Sequence, residues 1–129
     1  MIFIDTNYFL RYLHNDIPEQ SKIAKKIFLD AANGKKKIFT SLVVFFEIFW
    51  VVSRSYIYDK SEILKVLRGI LAMNFIIMPD GKILKKALDM FESTSLEMED
   101  CYNIVYSREE KAEKFLTFDR KLSNYLKIK

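Results

Sequence analysis

The sequence predicts an α/β fold in which a mostly parallel sheet is covered by helices on both faces. Short apolar runs recur along the chain: Ile2-Phe3-Ile4, Ile38-Phe39-Thr40-Ser41, Phe75-Ile76-Ile77-Met78 and Phe115-Leu116-Thr117-Phe118. Each is too short for a helix and suits a buried strand. The stretches between them carry apolar residues three or four apart, the helical period. Strands that alternate with helices in this way pair in parallel, because each crossover helix returns the chain to the same end of the sheet. With 129 residues, no internal repeat and no linker-like stretch, a single domain over residues 1–129 is expected.

The elements follow in order. After Ile2-Phe3-Ile4 the chain breaks at Asp5-Thr6-Asn7, and Tyr8 to Leu13 reads as a first helical segment. Asp16-Ile17-Pro18-Glu19 is a helix start, with Asp16 as cap and Pro18 in the first turn. That helix runs through Ile23, Ala24, Ile27, Phe28 and Ala31 and stops at Asn33-Gly34. Lys35-Lys36-Lys37 is a solvated connector to the second strand. Ser41 opens a strongly apolar helix to about Tyr56, and Asp59-Lys60-Ser61-Glu62 begins another to about Met73. The third strand closes at Pro79-Asp80-Gly81, with a helix from Lys82 to about Glu92 behind it. A further helix spans Met98 to about Ala112 and precedes the fourth strand, Phe115 to Phe118. Asp119 to Leu122 starts a short helix, and Ile128 is assigned to a last edge strand.

Composition narrows the chemistry. Half the residues are apolar and 29% charged, a globular balance. One Cys, Cys101, excludes an intrachain disulfide and a cysteine-rich zinc site. One His, His14, makes imidazole-based metal sites and a Ser-His-Asp triad improbable, and it reads as a surface or capping residue. Three Gly leave no glycine-rich phosphate cradle. Chemistry therefore falls to carboxylates. No apolar stretch reaches the roughly 20 residues of a membrane span. Met1-Ile2-Phe3-Ile4-Asp5 has no basic leader ahead of its apolar run, so a cytoplasmic protein is expected. The net charge of +4 is modest, but it would double if four acids were neutralised by metal, which would suit a polyanionic substrate.

Four acids stand out. Asp5 and Asp119 each follow a predicted strand, and ligands in parallel α/β sheets gather outside the carboxyl ends of strands. Either residue can equally be read as a helix cap. Glu47 lies between Leu42-Val43-Val44-Phe45-Phe46 and Ile48-Phe49-Trp50-Val51-Val52. Its stripe at helical spacing holds Val43, Val44, Trp50 and Val51, none of them solvent-seeking. A carboxylate so placed needs a partner, a proton or a metal. Asp100 opens a late helix within Glu97-Met98-Glu99-Asp100, where acids also favour the helix dipole, and Glu97 and Glu99 are possible auxiliary ligands. Carboxylates brought together repel unless a cation neutralises them, and a hard oxygen-seeking ion, Mg²⁺ or Mn²⁺, fits best. Such a site points to phosphodiester or phosphoryl chemistry.

Ile4-Asp5-Thr6-Asn7, Phe46-Glu47-Ile48-Phe49-Trp50, Met98-Glu99-Asp100-Cys101 and Leu116-Thr117-Phe118-Asp119-Arg120 occur in an order and spacing that resemble the PIN-domain family, in particular its VapC-type toxins. The resemblance covers essentially the whole chain. It implies a three-layer α/β/α sandwich around a parallel sheet, and a Mg²⁺- or Mn²⁺-dependent ribonuclease. It implies Asp5, Glu47, Asp100 and Asp119 as the catalytic, metal-binding quartet, with Thr6, Asn7 and Thr117 supporting them by hydrogen bonding. It also implies an RNA substrate, a homodimer, and a small antitoxin partner in a type II toxin–antitoxin pair. Tyr102, Asn103 and Tyr106 are bulkier or more polar than is usual after the third acid, and Glu113-Lys114 replaces the usual glycine turn.

Lys111, Arg120 and Lys121 lie nearest the expected crevice and are the best candidates for RNA phosphate contacts, ahead of the lysine run at Lys35. Most aromatics belong to the core, with a subset available for a dimer seam or an antitoxin groove. Cys101 reads as a small packing residue. Two other readings exist: a PIN fold serving RNA processing or RNA binding outside a toxin pair, and a receiver-like phosphoacceptor domain. The second wants an acidic pair after the first strand and a lysine after the last core strand. Here the chain has Asp5 alone and Asp119-Arg120.

Overall fold

The first three apolar runs pair as parallel strands: β1 (Ile2–Phe3), β2 (Ile38–Phe39) and β3 (Ile76–Ile77), in the order β1-β2-β3. The structure is a computed structural model that describes residues 1–55 and 57–128. It divides into two compact units, Met1–Pro79 and Asp80–Lys129, and all three strands lie in the first. Ile2 stands beside Ile38, and Ile38 beside Ile76. The pairing runs on past the strands: the Ile4 amide donates to the Phe39 carbonyl at 2.8 Å and the Thr40 amide to the Ile77 carbonyl at 3.1 Å. The buried Thr40 hydroxyl then donates to the Ile4 carbonyl at 2.8 Å, locking β1 to β2 where Asp5 leaves the sheet.

Helix α1 (Thr6–His14) starts two residues before Tyr8, directly after Asp5. It ends at Asn15, whose left-handed φ of 53° turns the chain. Helix α2 (Pro18–Ala32) has Pro18 in its first turn, as the sequence predicts, but Asp16 does not cap it. The residue before a proline is driven to extended backbone, so Ile17 takes the N-cap position. Asp16 pairs with Arg11 at 3.4 Å instead. Helix α2 stops at Asn33-Gly34, and Gly34 adopts φ 77°, a conformation that costs other residues energy.

Helix α3 (Leu42–Ser53) is capped by Ser41, which accepts from the Val44 amide at 3.2 Å. Tyr56, to which the sequence carries this helix, lies outside the described residues. Asp59 caps α4 (Lys60–Leu71) in the same way, accepting from Glu62 at 2.9 Å. Phe9, Tyr12 and Phe28 join α1 to α2 through ring contacts at 5.3 and 4.8 Å. Phe45, Ile48, Val52 and Leu67 are fully buried, where α3 meets α1 and α4.

The second unit holds α5 (Gly81–Ser93), α6 (Met98–Glu109) and α7 (Arg120–Ile128). Helices α5 and α6 pack together, burying Leu84, Leu88, Met98, Cys101 and Ile104. Cys101 is a packing residue, as expected. Two expectations fail here. Phe115 to Phe118 forms no strand: residues 113–118 make no backbone–backbone hydrogen bond among the described residues, and Leu116 is 86% exposed. Strand propensity measures fit to a paired surface, and without a partner backbone it builds nothing. Ile128 belongs to the backbone of α7, not to an edge strand. Among the described residues no helix is long and apolar enough to cross a membrane.

Candidate functional site

Asp5 leaves the carboxyl end of β1 and occupies the N-cap position of α1, yet its side chain makes no capping bond. Its carboxylate is exposed and has no hydrogen bond or ion pair among the described residues. Thr6, the next residue, is 7% exposed, and its buried hydroxyl oxygen has no hydrogen-bond partner among the described residues. Orphaned buried hydroxyls are uncommon, because the lost solvation goes uncompensated. Asp5 presents a carboxylate with unfilled bonding capacity where the chain leaves β1, an oxygen donor of the kind that suits a hard cation.

Glu47 sits midway along α3 and is exposed. The expectation that its stripe would be buried is wrong. Val43 (67% exposed), Trp50 (47%) and Val51 (43%) share the outward face with it, and of the predicted stripe only Val44 is buried. The opposite face, Val44-Phe45, Ile48-Phe49 and Val52, is the one that enters the core. Helix α3 is more apolar than one buried face requires, so an apolar neighbourhood in sequence did not mean an apolar surrounding in space. Glu47 needs no partner for its own solvation, and its carboxylate has none among the described residues.

In the second unit Asp100 lies in the first turn of α6, half-buried. Burial, followed by the negative charges of Asp119, Glu99 and Glu97, holds its carboxyl above the usual carboxylate range, while Lys121 pulls it down. Asp119 accepts from the Leu122 amide at 2.9 Å and so caps α7, while its own amide bonds the Thr117 hydroxyl at 3.0 Å. Its expected position after a strand is not realised, since 115–118 is unpaired. Glu97 is the N-cap residue of α6, without a side-chain capping bond. Lys121 donates to the Ser95 carbonyl. Lys111, in left-handed backbone, and Arg120 are exposed.

Asp100 thus feels the charges of Asp119, Glu99 and Glu97, and Asp5 precedes Thr6 with its orphaned hydroxyl. Among the described residues, however, no three His, Cys, Asp or Glu side chains converge closely enough to hold an ion. The oxygen-only chemistry of these acids, and the repulsion at Asp100, fit a divalent cation.

Sequence reasoning missed three features. Tyr102 donates to Asp80 at 2.7 Å and stacks on Tyr106 with ring centres 5.7 Å apart. Burial and the Asp80 carboxylate push its phenol well above the ordinary range. His14 stacks on Tyr58, with Nε2 3.3 Å from the phenol oxygen. A cavity also opens between α1 and α2, lined by Asn7, Tyr8, Arg11, Gln20, Ile23 and Ala24. Asn7 and Arg11 are one helical turn apart with Tyr8 beside Asn7, and reading that face as a unit would have flagged it.

No curated protein matches this sequence. The family model described as "PIN domain" matches residues 2–127, nearly the whole chain and across both units. Its members are in general nucleases and usually use divalent metal ions. A three-stranded parallel sheet among helices agrees with that match: this chain belongs to the PIN-domain family.

Proposed function

We propose that the chain is a Mg²⁺- or Mn²⁺-dependent endoribonuclease in which Asp5, Glu47, Asp100 and Asp119 together hold the metal. The observation that carries this reading is the family match, which spans all four acids in one stretch and supports treating both units as a single nuclease domain. When bound, the cation supplies positive charge against the scissile phosphate and acidifies a water. The chain's own residues do the rest. Asp5 offers a carboxylate that no cap engages, and the buried Thr6 hydroxyl supplies a donor beside it. Asp119 keeps one oxygen available while the other caps α7. Thr117 holds the Asp119 amide, and Asn7 presents its carboxamide next to the acid end of α1. Glu97 and Glu99 add negative charge around Asp100. Lys111, Arg120 and Lys121 supply cationic contacts for the RNA backbone.

Within the same reading the protein is the cytoplasmic toxin of a type II toxin–antitoxin pair, acting as a homodimer and silenced by a small antitoxin. The exposed apolar stripe Val43, Trp50 and Val51 supports an additional protein contact, since apolar patches of this kind mark interfaces. The test is direct. Asp5→Asn and Asp100→Asn should fold and lose Mn²⁺-dependent cleavage of single-stranded RNA; unchanged cleavage by both sinks the mechanism. Expression of the chain alone should arrest growth, and co-expression of the product of a neighbouring small reading frame should relieve it. Normal growth under strong expression would leave a housekeeping RNA-processing nuclease.

A further inference from the structure

The cavity between α1 and α2 has a volume of about 300 Å³ and lies wholly within the first unit. That is at the lower end of the roughly 300–1,000 Å³ typical of small-ligand sites. Its walls carry three kinds of group. The Tyr8 ring is exposed and makes no ring contact among the described residues, so a face is open for stacking. The Asn7 carboxamide, a donor and an acceptor side by side, has no partner there either.

Arg11 is held in place. Its Nε donates to Gln20 Oε1 at 2.7 Å, Nη1 reaches Asp16 Oδ1 at 3.4 Å, and Nη2 makes no hydrogen bond among the described residues. Its own carbonyl is tied by the Ser21 hydroxyl at 2.7 Å, which fixes α1 against α2 below the cavity. Ile23 and Ala24 form the apolar wall.

These groups favour a flat heterocycle over an anion. Among the described residues Arg11 is the one cation lining the cavity, and Asp16 already offsets its charge. The remaining wall is two neutral carboxamides, Asn7 and Gln20, with one aromatic ring and two apolar side chains, and it brings no further positive charge to hold a phosphate. An aromatic ring, a carboxamide and a guanidinium fork are instead the groups that stack on bases and read their edges. We propose that this cavity is a nucleobase subsite, which takes one unstacked base of single-stranded RNA beside the acid end of α1. Asn7 and Arg11 read the edge of the base, and Tyr8 stacks on its face. The proposal rests on the ribonuclease reading for its choice of polymer. It adds a specificity determinant that adjoins the proposed metal site through Asn7 and includes none of the four acids.

The experiment uses the full chain in EDTA, so that cleavage does not enter. The four homopolymeric ribotetranucleotides and an abasic ribose-phosphate strand of equal length are titrated while backbone amide resonances are followed by NMR. At least one base-bearing strand should shift the resonances of 7–11 and 20–24, and the abasic strand should not. Tyr8→Ala should weaken that binding by about five-fold or more, the low end for loss of one stacked base, while Tyr8→Phe keeps it. Equal shifts with the abasic strand would mean phosphate recognition and would overturn the proposal, as would no shifts at all or an unchanged affinity in Tyr8→Ala. Tyr8 is exposed, so both variants should melt with the parent. Shifts that persist in a protein unable to cleave RNA would sink the nuclease reading alone. Cleavage without these shifts would sink the subsite alone.

Discussion

Asp5 and Asp119 are the same residue type at the same local position, just ahead of a helix, and they behave differently. Asp5 follows a paired strand and leaves its carboxylate free of the α1 cap. Asp119 follows an unpaired segment and binds the Leu122 amide as the α7 cap. One aspartate carries no capping duty, while the other holds a helix end. Removing the side chain should therefore separate function from stability at one site and mix them at the other.

The largest effect is expected at Asp5. Asp5→Asn should lower metal-dependent RNA cleavage by more than the ~10- to 100-fold typical of supporting residues around a metal, with the melting midpoint unchanged. A drop in melting temperature alongside the lost activity would mean that Asp5 caps α1 in solution after all. At Asp119 two substitutions divide the roles. Asp119→Ala should cost about 1 kcal/mol in denaturant unfolding through the lost cap, and should also reduce cleavage. Asp119→Asn retains a capping oxygen and should lose cleavage alone. Equal stability of the two variants would show that the Leu122 contact contributes nothing.

Asp100 offers a smaller effect with a definite sign. Its carboxyl is raised in the folded chain, first by burial and then by Asp119, Glu99 and Glu97. The folded state therefore holds the proton to higher pH than the unfolded state does, so this group's contribution falls as pH rises from the unfolded to the folded value. Without metal, Asp100→Asn should remove that loss and stabilise the protein at neutral pH, by at most about 1 kcal/mol after solvent screening. Adding Mn²⁺ should raise the melting point of the parent and leave Asp100→Asn nearly unmoved. A variant less stable than the parent in EDTA at neutral pH would contradict the repulsion at this site.

How much of this was legible depends on whether a signal is local. The Ser41 and Asp59 caps, Pro18 in the first turn and the Asn33-Gly34 stop depend on neighbours within a few residues, and all appear as read. The parallel pairing of the first three strands follows from the helices between them. Glu47 was misread because its burial depends on which face of α3 meets the core. When nearly every residue of a helix is apolar, periodicity carries no information about that choice. Arg11, Gln20 and Tyr8 went unnoticed because their cavity exists only once α1 packs on α2. The order of the four acids was legible through resemblance, and Asp100 leans on it most, since acids in a first helical turn are common for reasons unrelated to metal.

The smallest expected effect tests the segment on which the two aspartates differ. Ile38 and Phe118 are both apolar members of runs that read as strands. Ile38 is fully buried between two neighbouring strands, and Phe118 is fully exposed. Truncating Ile38 to Ala should cost about 2–5 kcal/mol, the range for large-to-small changes in a core. Phe118→Ser removes no buried contact and should stay within about 0.5 kcal/mol of the parent. Urea unfolding of the two variants decides the matter. A loss of 2 kcal/mol or more at Phe118 would require residues 115–118 to be paired and covered in solution, returning Asp119 to the end of a strand and making it the equal of Asp5.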